Sequence, residues 1–320
     1  MRGIVIDAIG AAPRLADDLA EPKPGPGEAL VAVRACGLNF ADLLMIEGRY
    51  QEQQEPPFTP GMEVAGEVLA VGPGVTKLAP GMRIAGFPGR GGLAERAVVP
   101  AERCVLLPDG ADFVTGAAFQ VAYGTSHLAL THAARLQTGE TLLVLGAAGG
   151  VGLTAVEIGR QLGARVIAVA RGAEKLAVAA AAGAHHLIDS DTADLRAEVK
   201  ALGGADVVYD PVGGDLFTAA LRATRPGGRI LVIGFAGGEV QQIPANLLLV
   251  KNIAVIGFYW GGYLTFAPDR FTSSIGRLFT WFGEGRLKPH VSHVLPLERA
   301  ADGLELLRAR RSTGKVVVEI

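Results

Sequence analysis

Cysteine is nearly absent from this chain: Cys36 and Cys104 are the only two in 320 residues. Two thiols cannot build a disulfide framework or a four-cysteine zinc site, and both read as small apolar residues rather than nucleophiles. Excess charge of either sign is missing as well. A formal net charge of −2 leaves no electrostatic footprint for nucleic acid or an anionic membrane surface. Apolar runs are broken by Gly, Asn, Lys or His before they reach bilayer-spanning length. The opening MRGIVI is strand-like and lacks the basic segment and long apolar core of a signal peptide. The expectation is a cytoplasmic protein with neither membrane nor nucleic-acid partners. Paired carboxylates, a Ser-His-Asp order and a metal-binding motif are also lacking, so hydrolysis has no candidate residues. The six histidines form no cluster, and the adjacent His185 and His186 would point to opposite faces of a strand.

Glycine, by contrast, is abundant at 44 residues, and the apolar fraction of 49% suits a well-cored globular protein. The chain is organised around Thr141 to Arg171, TLLVLGAAGGVGLTAVEIGRQLGARVIAVAR. Thr141 to Leu145 is a short apolar run that reads as a buried strand. Gly146, Gly149, Gly150 and Gly152 follow at once, then a helical spacing of Val156, Ile158 and Leu162 up to Gly163. Val166 to Val169 is a second strand. This is the strand, glycine turn, helix and strand on which dinucleotide pyrophosphates rest. The glycines allow a tight turn, close approach of backbone to a diphosphate, and close packing of helix on sheet. Here Ala147 takes the first position of the usual glycine fingerprint.

Up to about residue 120 the chain is a succession of short β-type runs, such as 29–35, 63–71, 82–87 and 94–99, separated by Gly-Pro turns. Asn39 to Glu47 is the one clear short helix. That pattern predicts an all-β, barrel-type module. From Val121 helices and buried strands alternate, which predicts a doubly wound parallel sheet in an α/β domain spanning 121–259. Pro296 and the terminal KVVVEI have no place in a complete six-stranded sheet. They are assigned, with the rest of 260–320, to the first module, so the nucleotide domain is an insertion. Ligand sites are common between two such domains, and the active cleft is expected there.

RACGLNFADLLMIEGRY (34–50), PFTPGMEVAGEV (57–68), VAYGTSHLAL (121–130), the 145–171 stretch, DVVYDPVGG (206–214), GGRILVIGF (227–235) and TGKVVV (313–318) together resemble the medium-chain dehydrogenase/reductase superfamily over the whole chain. Within it they resemble the zinc-independent, ζ-crystallin-like quinone oxidoreductases. The resemblance implies a GroES-like β-barrel-type domain carrying an inserted Rossmann domain.

In the alcohol dehydrogenase branch a catalytic zinc is held by a Cys in G-x-C-x-x-D, the His of G-H-E, and a later Cys. Asn39, Met62 and Val121 stand at those places here. Asn is a poor ligand for Zn²⁺, and Met and Val do not serve in such sites. No zinc is expected, and without a Lewis acid the remaining chemistry is reduction of an already electrophilic acceptor.

The cofactor is read from the end of the second strand. An NAD enzyme places Asp or Glu there for the ribose hydroxyls. This chain has Ala170 followed by Arg171, with Lys175 one turn into the next helix. Both cations suit a 2′-phosphate, so NADPH is expected. Ser190 stands where related reductases often have an adenosine-stacking Tyr.

The resemblance also assigns the pyrophosphate contacts to Ala148, Gly149, Gly150, Val151 and Gly152. It gives the nicotinamide contacts to Gly213, Val232, Ile233, Gly234, Phe235, Phe258, Tyr259, Trp260 and Gly261, with a late cofactor contact at Lys315. Tyr50 matches the family tyrosine facing the nicotinamide, able to hydrogen-bond a carbonyl or donate a proton. Asn39 offers an amide nearby, and Leu44 replaces a second family tyrosine.

The expected reaction is hydride transfer from NADPH to a quinone or another electron-poor conjugated carbonyl. An enoyl-thioester reductase is the nearest rival, since both acceptors are Michael acceptors. A dinucleotide-binding sensor or structural protein with little turnover is the rival of another class. Asn252 to Tyr259 is an apolar strand late in the sheet, a liability as an open edge. Related proteins pair it across a two-fold axis, so a homodimer is expected.

Overall fold

The first strands of the chain are β1 (Gly3–Val5), β2 (Arg14–Ala16), β3 (Glu28–Leu38), β4 (Glu63–Val71), β5 (Arg83–Gly86), β6 (Arg96–Pro100) and β7 (Cys104–Leu106) in a computed structural model that describes residues 1–320. Three helices interrupt or follow them: α1 (Phe40–Ile46), α2 (Phe113–Ala117) and α3 (Gln120–Leu128). β3 is the hub, pairing antiparallel with β4 along one edge and with β6 over its first half. β6 alternates in burial, with Ala97 and Val99 inward, as a strand with one face on a core should. α1 forms where NFADLLMI leaves β3. Asn39 is its N-cap, and the Asp42 carboxylate accepts the Asn39 backbone N–H at 2.8 Å, half of a capping box.

The second group comprises β8 (Thr141–Leu145), β9 (Arg165–Ala170), β10 (His186–Asp189), β11 (Ala205–Asp210), β12 (Thr224–Val232) and β13 (Ala254–Gly257). Between them lie α4 (Gly150–Gln161), α5 (Gly172–Ala181), α6 (Leu195–Ala201), α7 (Gly214–Ala223) and α8 (Ala245–Lys251). All pairings are parallel and the order is β10-β9-β8-β11-β12-β13. Order reverses at β8, so the carboxyl ends of β8, β9 and β11 flank the switch point where open α/β sheets take ligands. β8 is buried along its full length because helices cover both faces. On one face Leu143, Leu145, Ile167, Val169, Val208 and Ile230 pack against Phe217 and Leu221 of α7.

The chain continues through α9 (Tyr263–Phe266) and α10 (Pro268–Gly283) to β14 (Val291–Pro296), α11 (Ala300–Arg308) and β15 (Lys315–Glu319). β15 slots between β14 and β3, giving a seven-stranded sheet in the order β14-β15-β3-β4-β5-β7, with β6 joined to β3. The last strands thus share one sheet with the first ones. The boundaries differ in detail. One compact unit comprises Met1–Val121, Ile275–Gly283 and Pro289–Ile320, and the other Ala122–Ser274 and Glu284–Lys288. Residues 260–274, assigned from sequence to the first module, pack with the second. Trp260 explains part of this: its indole stacks on Phe271 at 4.6 Å between ring centroids and lies against the backbone of Gly124. No helix is long and apolar enough to cross a membrane.

Candidate dinucleotide site and the buried polar cluster of the barrel unit

At the switch point Gly146 leaves β8 with φ +60°, a left-handed turn that favours glycine. Its carbonyl accepts the Gly149 N–H at 2.9 Å. A Cβ on Gly152 would come within 2.1 Å of that same carbonyl, so α4 can approach β8 this closely only with glycine there. Ala147 N–H is used by Val169 O at 2.9 Å. The next amides, at the first turn of the 12-residue helix α4, have no intrahelical acceptor and carry the positive end of its dipole. Ala148, Gly149, Gly150, Val151 and Gly152 thus lie together on one anion-ready turn.

At the end of β9, Arg171 is the N-cap residue of α5 and is largely exposed. Its Nε lies 3.0 Å from Asp191 Oδ1. Lys175 is half-buried on the first turn and a half of α5, and Ser190 N–H is held by Ala170 O at 3.0 Å. Asp189 accepts the backbone N–H groups of Asp191 and Gly172, which hold its carboxyl below the usual range. Arg171 and Ser190 therefore lie around the ends of β9 and β10, with an acid already paired to the Arg.

At the end of β11 the Asp210 carboxylate accepts Val212 N–H and Gly213 N–H, both at 2.8 Å, through one oxygen. Its other oxygen is buried without a partner, and burial raises the pKa. Asp210 O accepts Ile233 N–H at 2.8 Å, and Val232 O accepts Phe258 N–H at 3.0 Å. These bonds bring Gly213, Val232, Ile233, Gly234 and Phe258 to one end of the sheet, with Phe235 exposed beyond and Tyr259 and Gly261 half-buried after β13. Gln241 was not singled out from sequence. Its amide atoms are buried and unpartnered, and its Oε1 lies 2.8 Å from where a Cβ on Gly213 would sit. Nothing local in GEVQQIPA marks it; only the fold brings it over Gly213. Trp260, also expected at the nicotinamide end, has its side chain buried against Gly124 and Phe271.

In the barrel unit Asn39, Glu63 and Lys315 form a buried cluster. Glu63 Oε1 accepts Lys315 Nζ at 2.6 Å and Asn39 Nδ2 at 2.9 Å, and Oε2 accepts Val121 N–H at 2.9 Å. Lys315 Nζ also donates to Leu38 O at 2.8 Å and Asn39 Oδ1 at 2.7 Å. All three ammonium hydrogens are thus used inside the barrel unit, with Lys315 only 5% and Glu63 1% exposed. Lys315, expected as a late cofactor contact, thus has its ammonium engaged by Leu38, Asn39 and Glu63. Asn39 spends its second amide hydrogen on Gly37 O at 3.2 Å, leaving one lone pair on Oδ1. It is a brace before it is a donor. The half-buried Tyr50 follows the left-handed Gly48 beyond α1.

Asp42 is also fully buried. Its two oxygens take Asn39 N–H and Gly61 N–H, and burial pushes its pKa up to about 6 despite these bonds and Lys315. Cys36 beside it is inert, its thiol pushed well up by burial; Cys104 is only half-buried, and its thiol is raised to about 12. Sequence reasoning missed Glu63. The available signal was an acid heading an apolar strand, EVAGEVLAV, and a lysine heading another, KVVVEI.

The places of the three zinc ligands converge on Glu63: Asn39 bonds it, Met62 precedes it, and Val121 offers it a backbone N–H. Amide, buried thioether and valine do not make a zinc ligand set, and no group of three or more His, Cys, Asp or Glu is placed to hold a metal ion.

A barrel-type unit closed by its last strands and an inserted six-stranded parallel sheet define a medium-chain dehydrogenase/reductase. Residues 25–109 match the alcohol dehydrogenase GroES-like domain and residues 150–278 the zinc-binding dehydrogenase domain. The quinone oxidoreductase-like protein 2 of Bos taurus is 41% identical over 93% of this chain and 87% of its own length. A homologue of that protein in Nematostella vectensis is 39% identical over 99% of this chain and 88% of its length. The solved quinone oxidoreductase of Thermus thermophilus, described also in its complex with NADPH, is 36% identical with a TM-score of 0.89, covering 100% of both chains. The chain belongs to the quinone oxidoreductase family of that superfamily.

Proposed function

We propose that the protein is an NADPH-dependent reductase, working without zinc, that delivers hydride to a quinone or another electron-poor conjugated carbonyl. The end of β9 carries this reading: Ala170-Arg171 stands where a ribose-binding carboxylate would be, with Lys175 on the following helix. The NADPH complex of the Thermus thermophilus relative supports it.

When bound, NADPH supplies the hydride. The chain's work is orientation. Amides of residues 148 and 150–152, on the turn that Gly149 shapes, hold the pyrophosphate, Arg171, Lys175 and Ser190 the adenosine end with its 2′-phosphate, and Gly213, Val232, Ile233, Gly234, Phe235, Phe258, Tyr259 and Gly261 the nicotinamide end. Any cofactor contact at Trp260 is through its backbone. One hydride and one proton convert a quinone to a hydroquinone. Tyr50 hydrogen-bonds the acceptor carbonyl, and the proton comes from its phenol, refilled from water, or from water directly. Asn39 acts by bracing Glu63 and Lys315. Asn39, Met62 and Val121 give zinc no seat, so acceptor polarisation falls to hydrogen bonds.

The test is NADPH oxidation with 1,4-benzoquinone, 9,10-phenanthrenequinone, crotonyl-CoA and acryloyl-CoA. Turnover of the quinones, unaffected by a chelator, is expected. Activity with the thioesters alone would sink the quinone reading, and silence with all four would favour a binding protein of little turnover.

The same reading includes a homodimer through the open edge of β13. That edge pairs only with β12, while Leu249 and Val250 of the neighbouring α8 are 76% and 67% exposed. Light scattering on a size-exclusion column should give twice the 33.1 kDa chain mass, and a monomer there removes this part of the proposal.

A further inference from the structure

Three hydroxyls meet in the apolar interior beneath the glycine turn. Tyr209 of β11 is fully buried, and its Oη lies 3.0 Å from Ser126 Oγ of α3. Ser126 Oγ lies 2.8 Å from Thr154 Oγ1 and donates to Val151 O at 2.9 Å. Thr154 Oγ1 donates to Ala122 O at 3.0 Å and also touches Val151 O and Gly150 O, at 3.1 and 3.4 Å. Burial pushes the Tyr209 phenol well above its ordinary pKa, so it stays protonated and can donate. One direction then satisfies every hydrogen: Tyr209 to Ser126, Ser126 to Val151 O, Thr154 to Ala122 O.

Phe, Ala and Val would fill these places with no polar atom to desolvate, and a buried hydroxyl is favourable only when bonded. The bonds converge on one peptide. Val151 O belongs to the peptide whose N–H is that of Gly152, in the first turn of α4. A donor placed on that carbonyl polarises the peptide and strengthens its N–H toward an anion. We propose that Ser126, Tyr209 and Thr154 are positioning residues for the dinucleotide pyrophosphate, fixing and polarising the amides at the start of α4 from behind. This rests on the NADPH reading above.

Isothermal titration of NADPH into the full chain tests it, against 2′-AMP, which carries the adenosine phosphate but no pyrophosphate. Ser126→Ala should raise the Kd for NADPH about five- to tenfold and Tyr209→Phe about two- to fivefold, leaving the Kd for 2′-AMP unchanged. Ser126→Thr, which restores the hydroxyl, should recover NADPH binding. Unchanged NADPH affinity in both variants overturns the proposal. So does an equal loss for both ligands together with a lowered thermal midpoint, the signature of a merely structural role. Wild-type protein that binds no NADPH defeats the function reading itself; wild-type binding with indifferent variants defeats only this inference.

Discussion

The two units bury polar groups in different ways. The barrel unit encloses ions: Glu63, Lys315 and Asp42, with Asn39 between them. The nucleotide-binding unit, besides the acid Asp210 capped by backbone amides at the end of β11, encloses the neutral hydroxyls of Tyr209, Ser126 and Thr154. A hydroxyl left without its partner costs roughly 1–3 kcal/mol, whereas an uncompensated buried charge costs about 3–5 kcal/mol. The first arrangement is a fastening that fails abruptly. The second can be adjusted in small steps, which suits a surface that must bind and release a ligand.

The largest expected effect is at Lys315. Lys315→Met strands the Glu63 carboxylate in a dry interior and should destabilise the barrel unit by about 3–5 kcal/mol in urea unfolding. The double variant with Glu63→Gln should recover most of it. If Lys315→Met costs no more than Tyr209→Phe, the contrast between the units is wrong.

Asp42 comes next. Its pKa is raised in the folded protein from 3.8 to about 6, so the native state binds the proton more tightly than the unfolded chain. The ionised form is then a liability above pH 6. Stability from this group is fully present below pH 4 and lost as pH rises through 6, by about 3 kcal/mol. Wild type should therefore gain stability from this group between pH 7 and 5, and Asp42→Asn should flatten that part of the curve. Parallel curves for the two proteins would refute the buried-ion account.

Effects on the nucleotide side are smaller and fall on affinity. Replacing Arg171 and Lys175 together by Ala should raise the KM for NADPH about ten- to a hundredfold and leave that for NADH nearly unchanged. An equal loss for both cofactors would remove the 2′-phosphate assignment. Smallest of all, Asp191→Asn frees Arg171 from its exposed partner. It should tighten NADPH about two- to threefold at low salt, with the gain vanishing at high ionic strength.

Local patterns announced much of this. The apolar run before Gly146, the glycine spacing and the helical period after it lie within one stretch, and each signal is a property of neighbouring residues. The alternation that followed led to the six-stranded sheet, and Pro296 and the terminal KVVVEI, surplus to that sheet, pointed back to the barrel. What was not legible is where side chains turn once distant segments meet. Glu63 and Lys315 are separated by 252 positions, and no local pattern says that the lysine turns inward rather than toward a ligand. Trp260 presents the same difficulty: its commitment to Gly124 depends on how α3 packs. Gln241 and the three hydroxyls belong to this class too, since their partners lie on other elements.

The position of β15 between β14 and β3 imposes an order of assembly. On the ribosome the parallel sheet has all its strands once Gly257 has emerged, while β3 still lacks a neighbour and Glu63 a counter-ion. Lys315, which supplies both the last strand and that charge, is made some sixty residues later. The barrel unit is therefore closed from its C-terminal end, with a single ion pair as its latch. Nascent chains halted before Lys315 should yield a protease-resistant nucleotide-binding unit beside a barrel that is still readily cleaved.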